Sequence, residues 1–437
     1  MADYAMLKKN QQIELADGKI VTVIEKLGEG GQGHVYRVKF DDTGEEKALK
    51  WYFRNNFKDA YRFYKHLAEN VKVGAPSSAF IWPEQVTAWD DNESFGYIMK
   101  IIPKNFSSFS KFLIAKVAFQ SLSAMVNAGL NMVQAFKALH NKGYNYQDLN
   151  DGNFSINPAD GDVLICDNDN VMGQGQYSGI MGKARYMAPE VVRGEKQPDK
   201  LTDRYSLAVI LFMLFIGEHP LEGKKTNVPA LTNKYDKRFF GTEPLFIFDA
   251  DDNSNAPVPG LHRNARLWKY YPSFVKDAFQ KSFSQESLLN GRGRLLEQDW
   301  FNILVRLKSS IAKCPQCGDE LFMESDRETN CDSHKIKPAG YLNFAKRSNQ
   351  SVTVPISGGV VLYDYHVTDS SEDFKTVAAV IREKPGKFGL ENKTNRAWTI
   401  TSPNGKTVTK NFGEVAVLGA DFKIDFGKGN IAKVVVN

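Results

Sequence analysis

The strongest constraint on this chain is an order of residues along it. A glycine-rich run, a strand lysine, a loop carrying an aspartate and an asparagine, and a strand-end aspartate follow one another between Gly28 and Asp167. The first, Leu27-Gly28-Glu29-Gly30-Gly31-Gln32-Gly33-His34-Val35, has the G-x-G-x-x-G-x-V spacing that lets backbone amides fold over phosphates with no Cβ in the way. Alone, the run would also suit a flexible hairpin. Ala48-Leu49-Lys50 sharpens it, because a lysine on a strand-like run at this distance can reach the α and β phosphates of a bound nucleotide. Such a lysine needs an acidic partner, and Glu69 lies on a helix predicted over about 57–71, where the ion pair is expected.

Asp148-Leu149-Asn150-Asp151-Gly152-Asn153 follows a helical stretch ending at Leu139-His140. Its aspartate and asparagine have the spacing of a catalytic loop, with Asp148 accepting a hydroxyl proton and Asn153 holding Mg2+. Ile165-Cys166-Asp167 is an apolar strand ending in a carboxylate, which places Asp167 to bridge Mg2+ to the β and γ phosphates.

Two further motifs, Met187-Ala188-Pro189-Glu190 and Thr202-Asp203-Arg204-Tyr205-Ser206-Leu207, complete a pattern that resembles the protein kinase family over roughly residues 20–310. The resemblance implies an α+β, bilobal fold and ATP-dependent phosphoryl transfer to Ser or Thr hydroxyls of protein substrates, self-phosphorylation included. It assigns Lys50, Glu69 and Asp148 to catalysis. Nucleotide binding falls to Gly28, Glu29, Gly30, Gly31, Gly33, Val35, Ala48, Lys50 and Met99, and Mg2+ or Mn2+ to Asn153 and Asp167. It also implies an arginine late in the helical lobe anchoring Glu190, with Arg294 as first candidate and Arg292 as second. More narrowly, the segments 148–154 and 165–171 resemble bacterial kinases often encoded beside a metal-dependent protein phosphatase and a von Willebrand-type protein. Both are thereby implied as partners.

The sequence departs from the family pattern at three places. Tyr146-Gln147 stands where His-Arg usually precedes the catalytic aspartate, so the arginine that would pair with a phosphorylated activation loop is missing. Ser178 is the one Ser or Thr between Asp167 and Glu190, with Tyr177 and Tyr186 as weaker acceptors. Asn150 replaces a lysine commonly found there, which removes a cation from beside the migrating phosphoryl group, and Lys183 or Arg185 is the suggested substitute. Asn168-Asp169 replaces the usual Phe-Gly, and Asp169 is read as capping a turn rather than as a second metal ligand. These departures open a second reading, a nucleotide-binding pseudokinase that acts as a scaffold. Retention of Asp148 beside two metal ligands favours chemistry, since nucleotide binding alone needs no proton acceptor.

At 437 residues the chain is long enough for several cores. The expected division is 1–103 and 104–312 for the two lobes, 313–340 for a zinc knuckle and linker, and 341–437 for an all-β interaction domain. Lys and Arg number 56 against 51 Asp and Glu, with no dense basic block, so a nucleic-acid partner is not expected. Met1-Ala2-Asp3-Tyr4 carries no apolar signal region, which predicts a cytoplasmic chain. The longest apolar run, Leu207 to Ile216, is too short to span a bilayer and reads as a buried helix.

Of the four cysteines, three crowd into one segment, as Cys314-Pro315-Gln316-Cys317 and Cys331-Asp332-Ser333-His334. Cys314, Cys317, Cys331 and His334 suit tetrahedral, structural Zn2+ with no position left for water. Beyond it, short strand-like runs and the turns at Asn404-Gly405 and Gly427 predict a β-sandwich. Its runs 388–393 and 422–427 faintly resemble forkhead-associated domains, without a convincing Ser-x-x-His segment, which predicts partner docking without phosphate reading.

Overall fold

A computed structural model describes residues 6–91, 93–173, 182–230, 232–345 and 351–437. The first lobe is an antiparallel sheet of β1 (Gln12–Glu14), β2 (Ile20–Gly30), β3 (Gly33–Phe40), β4 (Glu46–Tyr52), β5 (Gln85–Val86) and β6 (Gly96–Met99), in the order β1-β2-β3-β4-β6-β5. Period-two alternation gives the sheet two apolar faces. Leu49, Trp51, Tyr36, Val38 and Ile98 join Leu7, Ile13 and Leu15 on one, while Tyr52, Tyr97 and Phe95 meet the helix α1 (Ala60–Val73) on the other. Asp59 starts α1 by accepting from the Arg62 amide, and Gly74, at φ 75°, ends it.

The second lobe is organised around α2 (Leu122–Asn141), α3 (Lys200–Ile216) and α4 (Glu297–Ser309). Asp199 and Thr202 form a reciprocal cap at the start of α3, and Gly217 closes it in the left-handed region. Every residue of the run Leu207–Ile216 is buried, and each such large apolar side chain contributes about 1.5–3 kcal/mol. Gly129 of α2 lets three helices approach closely: a Cβ there would lie 2.9 Å from the Phe215 ring and 3.1 Å from Leu304. Among the described residues, no helix is long and apolar enough to cross a membrane.

After α4 the chain makes two short hairpins, Ile311–Lys313 with Glu320–Phe322 and Thr329–Asn330 with Lys335–Ile336. Two antiparallel sheets follow. One has six strands, in the order Ser351–Pro355, Gly340–Ala345, Ile431–Val436, Lys423–Asp425, Trp398–Thr401, Thr407–Lys410; the other has four, in the order Val361–Tyr363, Val377–Lys384, Lys387–Asn392, Val415–Val417. Leu342, Phe344, Val354, Leu362, Ile381, Leu390, Trp398 and Phe426 fill the core between them.

This β-region is packed onto the helical lobe. The Phe301 ring of α4 meets Tyr365 at 5.8 Å and Phe374 at 6.1 Å. The buried Lys308 ammonium donates to the Phe374 carbonyl at 2.7 Å, and Ser309 Oγ bonds His366 Nε2 at 2.8 Å.

Candidate active site and metal-binding cluster

Strand register gathers the nucleotide-site candidates of the first lobe. Gly28 pairs with Val35, Val35 with Lys50, and Ala48 with Met99, and directly opposed residues of an antiparallel sheet share a face. Val35, Ala48, Lys50 and Met99 therefore line one surface under the β2–β3 turn. A Cβ at Gly28, Gly30 or Gly31 would meet nothing within 4 Å, whereas one at Gly33 would lie 2.2 Å from the Trp51 carbonyl oxygen. Gly33 is demanded by packing on β4; the other glycines keep the turn open on the side where phosphates would lie. Glu29 is an exposed residue of this turn, paired with Lys26 at 2.7 Å.

The partner expected for Lys50 is corrected by the structure. Helix α1 turns Phe63, Leu67 and Asn70 inward, so Glu69 faces out, 64% exposed and 3.5 Å from Lys72. Lys50 Nζ instead lies 2.7 Å from Asp169 Oδ2 and 3.1 Å from Asp167 Oδ1. Tyr52 donates its hydroxyl to the same Asp169 oxygen. Burial works against the Lys50 charge, but Asp169, Tyr97 and Asp167 together outweigh it and the ammonium is held above its usual range. Asp169 is thus neither a simple turn cap nor a solvent-facing acid; its side chain has no exposure at all. The signal in the sequence was alternation: Tyr52 lies two residues beyond Lys50 on the same strand face.

The loop after α2 is held from below. Asp203 of α3 accepts from the Tyr146 amide at 2.7 Å and meets His140 Nε2 at 3.1 Å. The Tyr146 hydroxyl donates to the Cys166 carbonyl, tying the Asp148 loop to the residues that lead from the strand Val163–Ile165 to Asp167. Gln147 is buried, takes φ 63° and donates to Asn145 Oδ1 at 2.9 Å. Asn153 is buried, and its Oδ1 accepts from the Asn150 amide at 2.9 Å. Asp167 sits at φ 53° with its side chain 54% exposed, a carboxylate presented to the cleft. The Cys166 amide donates to the Asn153 carbonyl at 2.7 Å, so the segments carrying Asn153 and Asp167 lie side by side, each with the kind of oxygen donor that Mg2+ takes.

Burial raises the Asp148 carboxyl to about 6; Lys183 opposes the shift, Asp167 adds to it, and the Asn150 side chain opposes it. Lys183 Nζ lies 3.5 Å from Asn150 Oδ1. Arg185 is engaged elsewhere, 3.0 Å from Glu222 and over the Tyr186 ring. Of the two suggested cations, Lys183 is therefore the one beside Asp148. Tyr186 is buried and donates to Asp151 at 2.7 Å, while Tyr177 and Ser178 lie outside the described residues. Arg294, not Arg292, reaches Glu190; Arg292 is 77% exposed.

The two hairpins after α4 bring Cys314, Cys317, Cys331 and His334 together, with all four ligand atoms within 4.8 Å of one another. Cys317–Cys331 and Cys314–Cys331 sulfurs are each 3.9 Å apart, and His334 Nδ1 lies 3.4 Å from Cys331 Sγ and 3.6 Å from Cys314 Sγ. A disulfide would need sulfurs about 2 Å apart. Tetrahedral Zn2+ with Zn–S of about 2.3 Å puts its sulfurs roughly 3.8 Å from each other. The spacing is that of a metal cage.

Comparison with known proteins agrees with this geometry. The family model described as "Protein kinase domain" matches residues 21–256, more than half of the chain. Calcium-dependent protein kinase 5 of Plasmodium falciparum is 23% identical, over 66% of this chain and 51% of its own length. The serine/threonine-protein kinase AtPK2/AtPK19 of Arabidopsis thaliana is 26% identical over 47% of this chain and 43% of its own. A shorter match, 35% identical over 20% of this chain and 13% of its own, is to mouse protein kinase C delta type. The chain spans about half the length of the first of these relatives and less of the others. With a matched domain that contains the glycine-rich turn, Lys50, the Asp148 loop and Asp167, the chain belongs to the protein kinase family.

Proposed function

We propose that this chain is a Ser/Thr protein kinase that transfers the ATP γ-phosphate to hydroxyls of protein substrates. The observation that carries the proposal is the convergence of Lys50 on Asp167, with Asp148 in the field of the same carboxylate. ATP with Mg2+ supplies the phosphoryl group. Lys50 orients phosphates from β4, Asn153 and Asp167 present oxygens to the metal, and Asp148 receives the proton of the substrate hydroxyl. Val35, Ala48 and Met99 supply an apolar wall for the base, and Lys183 supplies the positive charge that Asn150 lacks. Transfer from labelled ATP to casein by the purified chain tests this. Loss of the signal in Asp148→Asn and Lys50→Ala is expected; a signal unchanged in Asp148→Asn would remove that residue from the mechanism and leave a nucleotide-binding scaffold.

The cysteine cluster is proposed as a structural Zn2+ site, because four protein ligands leave no position for reacting water. The β-sandwich is proposed as a partner-docking domain of forkhead-associated type that does not read phosphate. A bacterial setting and association with a von Willebrand-type protein and a metal-dependent phosphatase are supported by the sequence resemblance described above, and a cytoplasmic location is proposed with them.

A further inference from the structure

The geometry points to Asp169 as the positioning residue for Lys50, in the role that the sequence pattern gives to Glu69; the inference rests on the kinase reading. Lys50 and Tyr52 alternate onto one face of β4, and both donate to the single oxygen Asp169 Oδ2, at 2.7 Å for Lys50. Asp169 follows Asp167 by two residues, so the strand and the metal-binding turn are joined at two points, Lys50 with Asp167 and Lys50 with Asp169. The two acids differ in burial, 54% exposed against 0%. Asp167 is the one open to the cleft and must turn its oxygens toward Mg2+; Asp169 has no such access and holds Lys50 whether or not a metal is bound. Tyr97, opposite Lys50 in the sheet and fully buried, closes the pocket. Because the acid rides on the metal-binding turn, Lys50 takes no carboxylate from helix α1, which instead supports the turn through His66, bonded to the Val171 and Asp169 backbone, and packs Phe63 on the Tyr52 ring at 5.4 Å. In kinases whose acid lies on that helix, its displacement breaks the pair and switches activity off. In this chain the anchor of the lysine and the metal ligand move as one unit.

The test uses the full chain, labelled MgATP and casein, with kcat and KM for ATP measured separately, and binding of a fluorescent ATP analogue alongside. Breaking one side of a buried, hydrogen-bonded ion pair in Asp169→Asn should lower kcat/KM for ATP by about 100-fold, with Asp169→Glu recovering part of it and Glu69→Gln within about twofold of the wild type. In a Lys50→Met background, Asp169→Asn should keep only the small part of its effect that passes through the Tyr52 hydrogen bond rather than through Lys50. Equal losses in Glu69→Gln and Asp169→Asn, or an undiminished Asp169→Asn effect in the Lys50→Met background, would overturn the inference. Should Asp169→Asn unfold, Tyr52→Phe removes one bond and keeps the charge; about tenfold loss is expected, and full activity at unchanged thermal stability would count against Asp169. A wild type that binds the analogue but transfers nothing would sink the transfer reading alone, and analogue affinity in the same variants would then decide the place of Asp169.

Discussion

Arg294 holds Glu190 with both of its terminal nitrogens, each 2.8 Å from a different carboxylate oxygen, and donates further to the Leu201 and Ser287 carbonyls. The arginine side chain is 1% exposed. One buried fork thus joins the Pro-Glu segment, the start of α3 and the helix Gln285–Asn290.

Arg294→Ala should therefore be among the most damaging substitutions in the helical lobe. Leaving Glu190 buried without its partner costs about 3–5 kcal/mol. Arg294→Lys should recover only part of this, since an ammonium cannot make two parallel bonds. Denaturant midpoints of the two variants would check the order; a loss below that of an exposed pair such as Arg238–Glu243, 2.9 Å apart, would contradict it.

The Asp148 carboxyl, raised to about 6 by burial, must be ionised to accept a proton. Activity should rise with pH through about 6 and flatten above it. Lys183 lowers that carboxyl toward its ordinary range, so Lys183→Ala should move the limb to higher pH and Arg185→Ala, which breaks a pair with Glu222, should not. A pH profile of kcat/KM for the three proteins distinguishes these outcomes.

Metal analysis of the purified chain should find one equivalent of zinc, lost in Cys314→Ser. After chelation, Cys314, where burial is outweighed by hydrogen bonds from the Cys317 and Gln316 backbone and the neighbouring thiols so that it falls to about 6, should react quickly with a thiol reagent. Cys166, pushed up to about 12 chiefly by burial, should remain slow, because the thiolate is the reactive form. Fast reaction of Cys166 as well would show that the segment just after the strand Val163–Ile165 opens on loss of the metal.

Lys308 is buried between the Tyr363 and Phe374 rings, at 4.0 and 5.3 Å, and burial lowers it to about 7. Lys375 lowers it further and Asp373 opposes this. Above about pH 7 the folded chain binds fewer protons at this position than the unfolded chain, so this group makes stability rise with pH until the unfolded lysine also titrates. The wild type should gain stability between pH 7 and 9 relative to Lys308→Met. Identical pH dependence in the two proteins would mean that Lys308 stays charged in its pocket.

Much of the site was legible because its residues are fixed by local rules that leave a trace in one dimension. Glycines at set intervals mark the turn over β2 and β3, and the helix of residues 200–216 is announced by a cap and a continuous apolar run. The cysteine cluster is written as two short spacings. What sequence order could not reveal is which side of α1 faces in. Phe63, Leu67 and Asn70 decide that, and they turn Glu69, one position before Asn70 and so about 100° round the helix, out to solvent. Asp169 was obscured for the opposite reason: an acid beside a known acid reads as part of a turn until the strand opposite supplies both Lys50 and Tyr52. The choice between Lys183 and Arg185 likewise needed a third residue, Glu222, which is distant in the chain.

The seam between α4 and the β-sandwich has a geometric corollary. Phe301, Lys308 and Ser309 grip Phe374, Tyr365 and His366, while Lys137 and Asp162 hold Glu372 and Lys375 at 2.5 and 2.7 Å. A protein captured by the sandwich would be delivered at one bearing and one range from Asp148, as by a jig rather than a tether. Which of its hydroxyls could be reached would then depend on the length of chain between its docking segment and the acceptor, a ruler that peptides too short to cover both points would fail.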